Sequence, residues 1–243
     1  MMKIKILSVV LLIGSLLVVQ AGPVDDVTSA AQKLGNEANY SWHTTVDFPA
    51  ATPASPGPID GKIEKGGLMY LKRLPIQSPP PDSQFANLTL EVLMRGKTII
   101  VNDPDPDGGW QTLADYSSAD FSGPGPFMAD MLKQFKTPAG QAAELAGDSV
   151  NLAQKEGAYT GDLTPDAAKK LMALPAGDTA SDISGTVQFW VKDGELTKYE
   201  YILTGTVSSG DKTGQVKRDT TVEIQGVGTT TITVPVGARK LLP

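Results

Sequence analysis

The chain has 243 residues, no cysteine, a single histidine and a formal net charge of −6. Without cysteine there is no disulfide, no lipid-modified cysteine and no thiolate metal site, and one histidine cannot build a histidine-rich zinc site. The acidic balance excludes the basic face that nucleic acid demands and argues against electrostatic docking on an anionic membrane.

Residues 1–21 read as a cleavable signal peptide. Lys3 and Lys5 supply its positive start, residues 6–19 its apolar middle, and Val19-Gln20-Ala21 the small residues at the cleavage point. The apolar run falls short of the roughly 20 residues that a spanning helix needs, and an uncleaved anchor is the alternative. The expectation is a periplasmic or secreted protein that is not integral to the membrane after cleavage. An exported chain without disulfides fits a bacterial envelope. Residues 22–243 are long enough for one domain with a sizeable core.

Residues 23–36 read as a first helix, with Val24, Val27, Ala30, Ala31 and Leu34 at helical spacing. Residues 39–48 have the aromatic and β-branched content of a strand. Residues 59–72 form two strand-like pieces joined at Lys65-Gly66-Gly67, and residues 85–102 form two more around Arg95-Gly96-Lys97. Proline-rich loops at 49–58 and 74–81 separate them and cannot sit inside a sheet. A short piece begins at Trp110. Residues 124–136 then turn helical, with Phe127, Met128, Met131, Leu132 and Phe135 on one stripe. A short helix is expected at 139–145 and extended chain at 150–160. Residues 164–174 carry the clearest helix: Thr164 caps it, Pro165 takes the first helical position and Asp166 complements the dipole.

The rest is a meander of long strands over residues 183–234. Asp193-Gly194 lies between two runs rich in Val, Phe, Trp, Tyr and Ile, the pattern of a two-residue type I′ hairpin. Uniform pairing from that turn sets Trp190 against Thr197 and Gln188 against Tyr199. One face then carries Trp190, Tyr199, Tyr201 and Leu203. The other carries Val187, Phe189, Val191, Leu196 and Ile202, with Lys198 and Glu200 among them. Neither face is cleanly polar, which implies that helices cover one while the other stays partly exposed or meets a partner. The order helix, strands, helices, strands gives an α+β plan with helices gathered on one face of a large antiparallel sheet.

This order resembles the LolA/LppX-like envelope lipoprotein-carrier superfamily. The resemblance is carried by the leading helix after a signal peptide, the strand pair from Gly61-Lys62-Ile63 to Leu71, and Tyr159-Thr160-Gly161-Asp162-Leu163-Thr164-Pro165 running into a helix. Phe189-Trp190-Val191-Lys192-Asp193-Gly194-Glu195-Leu196 and the closing strand and tail over 222–242 add to it. The departures are the missing lipidated cysteine, which anchors many relatives of the LppX type, and the two proline-rich loops. The resemblance implies a curved, half-open antiparallel barrel with helices covering its concave face. It implies no enzyme and no cofactor, but an apolar cavity for a lipid or an acylated protein, with other envelope proteins as further partners. Phe127, Met131, Leu132, Phe135, Leu171 and Met172 would form a helical lid, and Trp190, Tyr199 and Tyr201 would line the sheet side. The alternative is a structural or protein-interaction module whose cavity is filled by its own side chains.

Other candidate chemistry is thin. Asp103, Asp105 and Asp107 alternate before Gly108 like the first half of a calcium loop, but Ala114 stands where the bidentate glutamate belongs. The plain reading is a solvated acidic turn. His43 could in principle join a Ser-His-Asp triad, but no Gly-X-Ser-X-Gly elbow accompanies it. A half-exposed sheet residue is the simpler reading.

Overall fold

The computed structural model describes residues 22–47, 58–73, 89–103, 108–118, 129, 132–172, 174 and 177–242. The signal-peptide region and the two proline-rich loops therefore lie outside the described residues. Eleven strands form one antiparallel sheet. They are β1 (Asn39–Asp47), β2 (Ile59–Glu64), β3 (Leu68–Arg73), β4 (Leu90–Arg95), β5 (Thr98–Asp103), β6 (Gly109–Thr112), β7 (Ser149–Lys155), β8 (Ala158–Leu163), β9 (Thr179–Lys192), β10 (Glu195–Ser209) and β11 (Lys212–Gln225). The spatial order is β6-β5-β4-β3-β2-β1-β11-β10-β9-β8-β7. β6 and β7 are edges, so the sheet does not close on itself, as the expected α+β plan of an open, curved sheet requires. The one long jump in the sheet is between β1 and β11, which joins the first strand to the last in antiparallel register.

Helices α1 (Pro23–Asn36), α2 (Leu113–Ser118), α3 (Pro138–Gly147) and α4 (Pro165–Met172) supply the cover. α1 matches its expected span, and its spaced residues Val27, Ala30, Ala31 and Leu34 are all buried. Thr137 caps α3 by accepting the Gly140 amide at 3.2 Å, and Thr164 caps α4 by accepting the Ala167 amide at 3.3 Å. α2 carries no periodic stripe long enough to be read in the sequence. The extended chain at 150–160 is in fact a hairpin of β7 and β8, turned at Glu156-Gly157 with positive φ at both.

The meander departs from uniform pairing at two points, one after Leu196 and one after Thr204. Asp193 and Gly194 both have positive φ, as the type I′ turn demands, and Lys192 pairs with Glu195. A β-bulge then follows: Leu196 pairs with Val191, but Lys198, not Thr197, pairs with Trp190. Thr197 is the extra residue, and its hydroxyl donates to the Trp190 carbonyl at 3.1 Å. From Lys198 to Thr204 every side chain of β10 changes sides relative to the expected register, and the second shift restores that register from Thr206 on. Val187, Phe189, Leu196, Tyr199, Tyr201 and Leu203 are now all buried in the core under the helices. Trp190, Lys198, Glu200 and Ile202 share the opposite face. The mixed faces of the sequence reading resolve into an apolar one and a mainly polar one.

A second correction concerns the end of the chain. β11 stops at Gln225, and residues 226–242 form no strand. They cross to the face opposite the helices, where the Ile232 amide donates to Glu64 Oε1 at 2.6 Å. There Ile232, Val234, Ala238, Leu241 and Leu242 pack with Leu68, Leu93, Ile100 and Trp110 in a small second core. The apolar outer patch of β3–β6 is thus covered by the chain's own tail.

Candidate functional site

The helix-facing side of the sheet is apolar across most of its width. Register pairs run Val101, Val92, Leu71, Gly61, Trp42, Ile224 from β5 to β11. A second row runs Val222, Tyr199, Phe189, Tyr159 from β11 to β8. The geometric centre of this face is Trp42. Its indole lies flat on Gly61, where an added Cβ would sit 2.0 Å from two ring atoms. Tyr40 flanks it at 5.8 Å between ring centres, and Phe135 stacks on it at 6.3 Å with planes 23° apart.

That stack brings together the expected cover and the sheet. Phe135 and Leu132, from the stripe read at 124–136, join the main core, Leu132 being buried and Phe135 half-buried. Phe127 and Met131 lie outside the described residues. Lys136 pairs with Glu144 of α3, and Lys170 of α4 reaches the same carboxylate at 2.7 Å. The end of this segment, α3 and α4 are thereby tied at one point, and the two lysines hold the Glu144 carboxyl below the usual carboxylate range.

The remaining sequence-expected residues divide. Tyr199 is fully buried beside Phe189, and its hydroxyl donates to Gln141 Oε1 of α3 at 2.6 Å. Burial pushes its phenol well above the ordinary value. Tyr201 and Met172 are buried and Leu171 is half-buried in the same core. Trp190 does not join them. The bulge at Thr197 leaves it on the opposite face, with the Lys198 ammonium 4.4 Å from its ring centre. Tyr40 and Trp42 are central to this face but were not singled out by the sequence reading. The signal was present: in Asn39-Tyr40-Ser41-Trp42 the two aromatic rings sit two residues apart, on one side of a strand.

Asp103 ends β5, while Asp105 and Asp107 lie outside the described residues. Among the described residues no group of three His, Cys, Asp or Glu side chains is arranged to hold a metal ion. His43 is on the face away from the helices, and its Nδ1 is 2.6 Å from Asp60 Oδ1. Its cross-strand neighbours are Asp60 and Glu223, and the row continues to Lys72 and Glu91 on one side and Lys198 on the other. His43 thus sits among charged side chains on a wet surface.

Openings lined by described residues lie away from the Trp42 centre. One of about 580 Å³ lies between Arg95 and the tail residues Ile232, Thr233, Val234, Arg239 and Leu242. Another, of about 280 Å³, lies at the end of β8, with Leu163, Pro165, Ile183, Gly185 and Ile202 among its walls. Neither is lined by Trp42, Phe135, Tyr199 or Tyr201.

No protein-family model and no curated protein matches the chain. Among solved structures it is similar to LprF from Mycobacterium bovis, at 11% identity and a TM-score of 0.43, over 88% of this chain and 95% of that one. It is also similar to the lipoprotein LppX of Mycobacterium tuberculosis, at 10% identity and a TM-score of 0.44, over 86% and 97% of the two chains. At that level of likeness, function has to be argued from the chain's own residues.

Proposed function

We propose that this chain is an exported, non-enzymatic carrier that binds a lipid or an acylated protein between the sheet and its helical cover. The observation that carries the reading is the stack of Phe135 on Trp42 at the centre of a broad apolar face. The cover rests there by apolar contact, and an acyl chain can replace such contact with its own. Each methylene moved from water onto this face contributes about 0.8 kcal/mol, so a long chain competes well with two side chains. The signal-peptide pattern read over 1–21 and the cysteine-free composition support a periplasmic or secreted carrier, with residues 22–243 proposed as its single domain.

A second reading has its own support. Tyr199 and Phe189 are fully buried, and Tyr40 and Trp42 nearly so, all within the chain's own core. A face filled this way suits an interaction module that keeps the sheet for structural use.

The two readings part on one titration. Trp110 and Trp190 are replaced by Phe, leaving Trp42 as the only indole, and a fatty acid is added. The carrier reading expects saturable binding with a shift in Trp42 emission, because the ligand must displace Phe135 from the ring. Unchanged emission with no uptake would leave the interaction module.

A further inference from the structure

From Ile224 to Val216 the helix-facing column of β11 runs Ile224, Val222, Thr220, Arg218, Val216, and Arg218 is the one charge in that stretch, Lys212 lying at the strand's exposed start. It stands opposite Leu203, which is fully buried. Its Nη2 donates to the carbonyl of Leu171 in the last turn of α4. Carbonyls at a helix C-terminus lack helical partners and favour a cation, so this contact is a cap. It uses one of the five N–H groups of the guanidinium. Nε is buried and has no hydrogen-bond partner. The neighbouring carboxylate, Asp219, alternates to the opposite face and pairs with Lys217 at 2.7 Å. Burial pushes the Arg218 pKa down, opposed only by Tyr201. The guanidinium nonetheless stays protonated, because its reference value lies so high.

A desolvated cation with a neutral acceptor and an orphaned donor is costly, and a fold keeps one where an anion completes it. Leu171, Met172, Tyr201 and Leu203 around it are the apolar residues of the proposed lipid face. We propose that Arg218 receives the oxyanion head, a carboxylate or phosphate, of a single-headed amphiphile whose acyl chain lies along the helix-facing side of the sheet. The planar fork suits such a group, with Nε–H and an adjacent Nη–H aimed at two oxygens. This deepens the carrier reading and rests on it.

The test compares three probes on the purified protein: oleate, methyl oleate and inorganic phosphate. Oleate is expected to bind at least about tenfold more tightly than its ester, a modest share of what a charge-assisted bond can supply. Arg218→Gln should abolish that preference, read as the ratio of oleate to ester affinity so that any effect of losing the α4 cap cancels, and Arg218→Lys should keep the fold and part of the preference. Equal affinity of the wild-type protein for oleate and ester overturns the proposal and leaves the carrier standing. Binding of neither overturns both. Displacement of oleate by millimolar phosphate would make this a free-anion site and also overturns the proposal. If Arg218→Gln does not fold, the wild-type comparison and Arg218→Lys still decide.

Discussion

Trp42 and Gly61 define the tightest residue-scale constraint in the candidate site. The glycine is there because the indole occupies the space of its missing side chain, with ring atoms 2.0 Å from where a Cβ would be. Gly61→Ala must push the ring off the strand and disturb its stack on Phe135. Overpacking of this kind costs about 1–3 kcal/mol, and this contact belongs at the upper end. The cost should be read by chemical denaturation, and it should largely vanish in a Trp42→Ala background, since the two sites are directly coupled. Equal cost in both backgrounds would mean that the glycine serves the backbone rather than the ring. Half of this constraint was legible in the sequence: two aromatics at strand spacing mark an inward face. That Gly61 is the cross-strand partner of Trp42 depends on the β1–β2 register, which the intervening loop does not reveal.

At the scale of elements, Thr197 shows where local reading ends. The hairpin turn, the cap at Thr164 and the span of α1 all follow from neighbours in sequence, and all were readable. A bulge follows from which faces must be buried, a non-local demand. The clue was the mixed faces that uniform pairing produced: Lys198 and Glu200 beside Phe189 make no stable core. One extra residue removes the conflict from Lys198 to Thr204. It follows that deleting Thr197 should be tolerated. Lys198 would still meet Trp190, and Tyr199 would still meet Phe189, now in a regular ladder. The expected loss is about 1 kcal/mol, the hydrogen bond to the Trp190 carbonyl, with near-UV circular dichroism unchanged. Deleting Glu200 should unfold the protein, because it turns Tyr201 and Leu203 outward. A folded variant lacking Glu200 alongside an unfolded one lacking Thr197 would contradict the assigned register.

Across the whole molecule, one sheet carries two apolar surfaces with different covers. The opposite face of β3–β6 is closed by the tail, which docks through Ile232, Ala238 and Leu242. The sequence reading set two apolar faces on the β9–β10 hairpin, where the bulge removes them; it did not anticipate the outer patch of β3–β6 or its cover, because residues 226–234 read as strand by composition. The helix-facing surface is broader and is roofed near its centre by Leu132 and Phe135. A module that only needed a stable sheet could close that surface with its own side chains; a carrier needs the roof to yield. The direct measurement is native mass spectrometry of the protein purified gently from its own envelope, followed by solvent extraction and lipid analysis. The account predicts a stoichiometric adduct of acyl-chain mass, released as an anionic lipid. A clean mass of the bare chain, with no uptake of added fluorescent fatty acid or phospholipid, would contradict it.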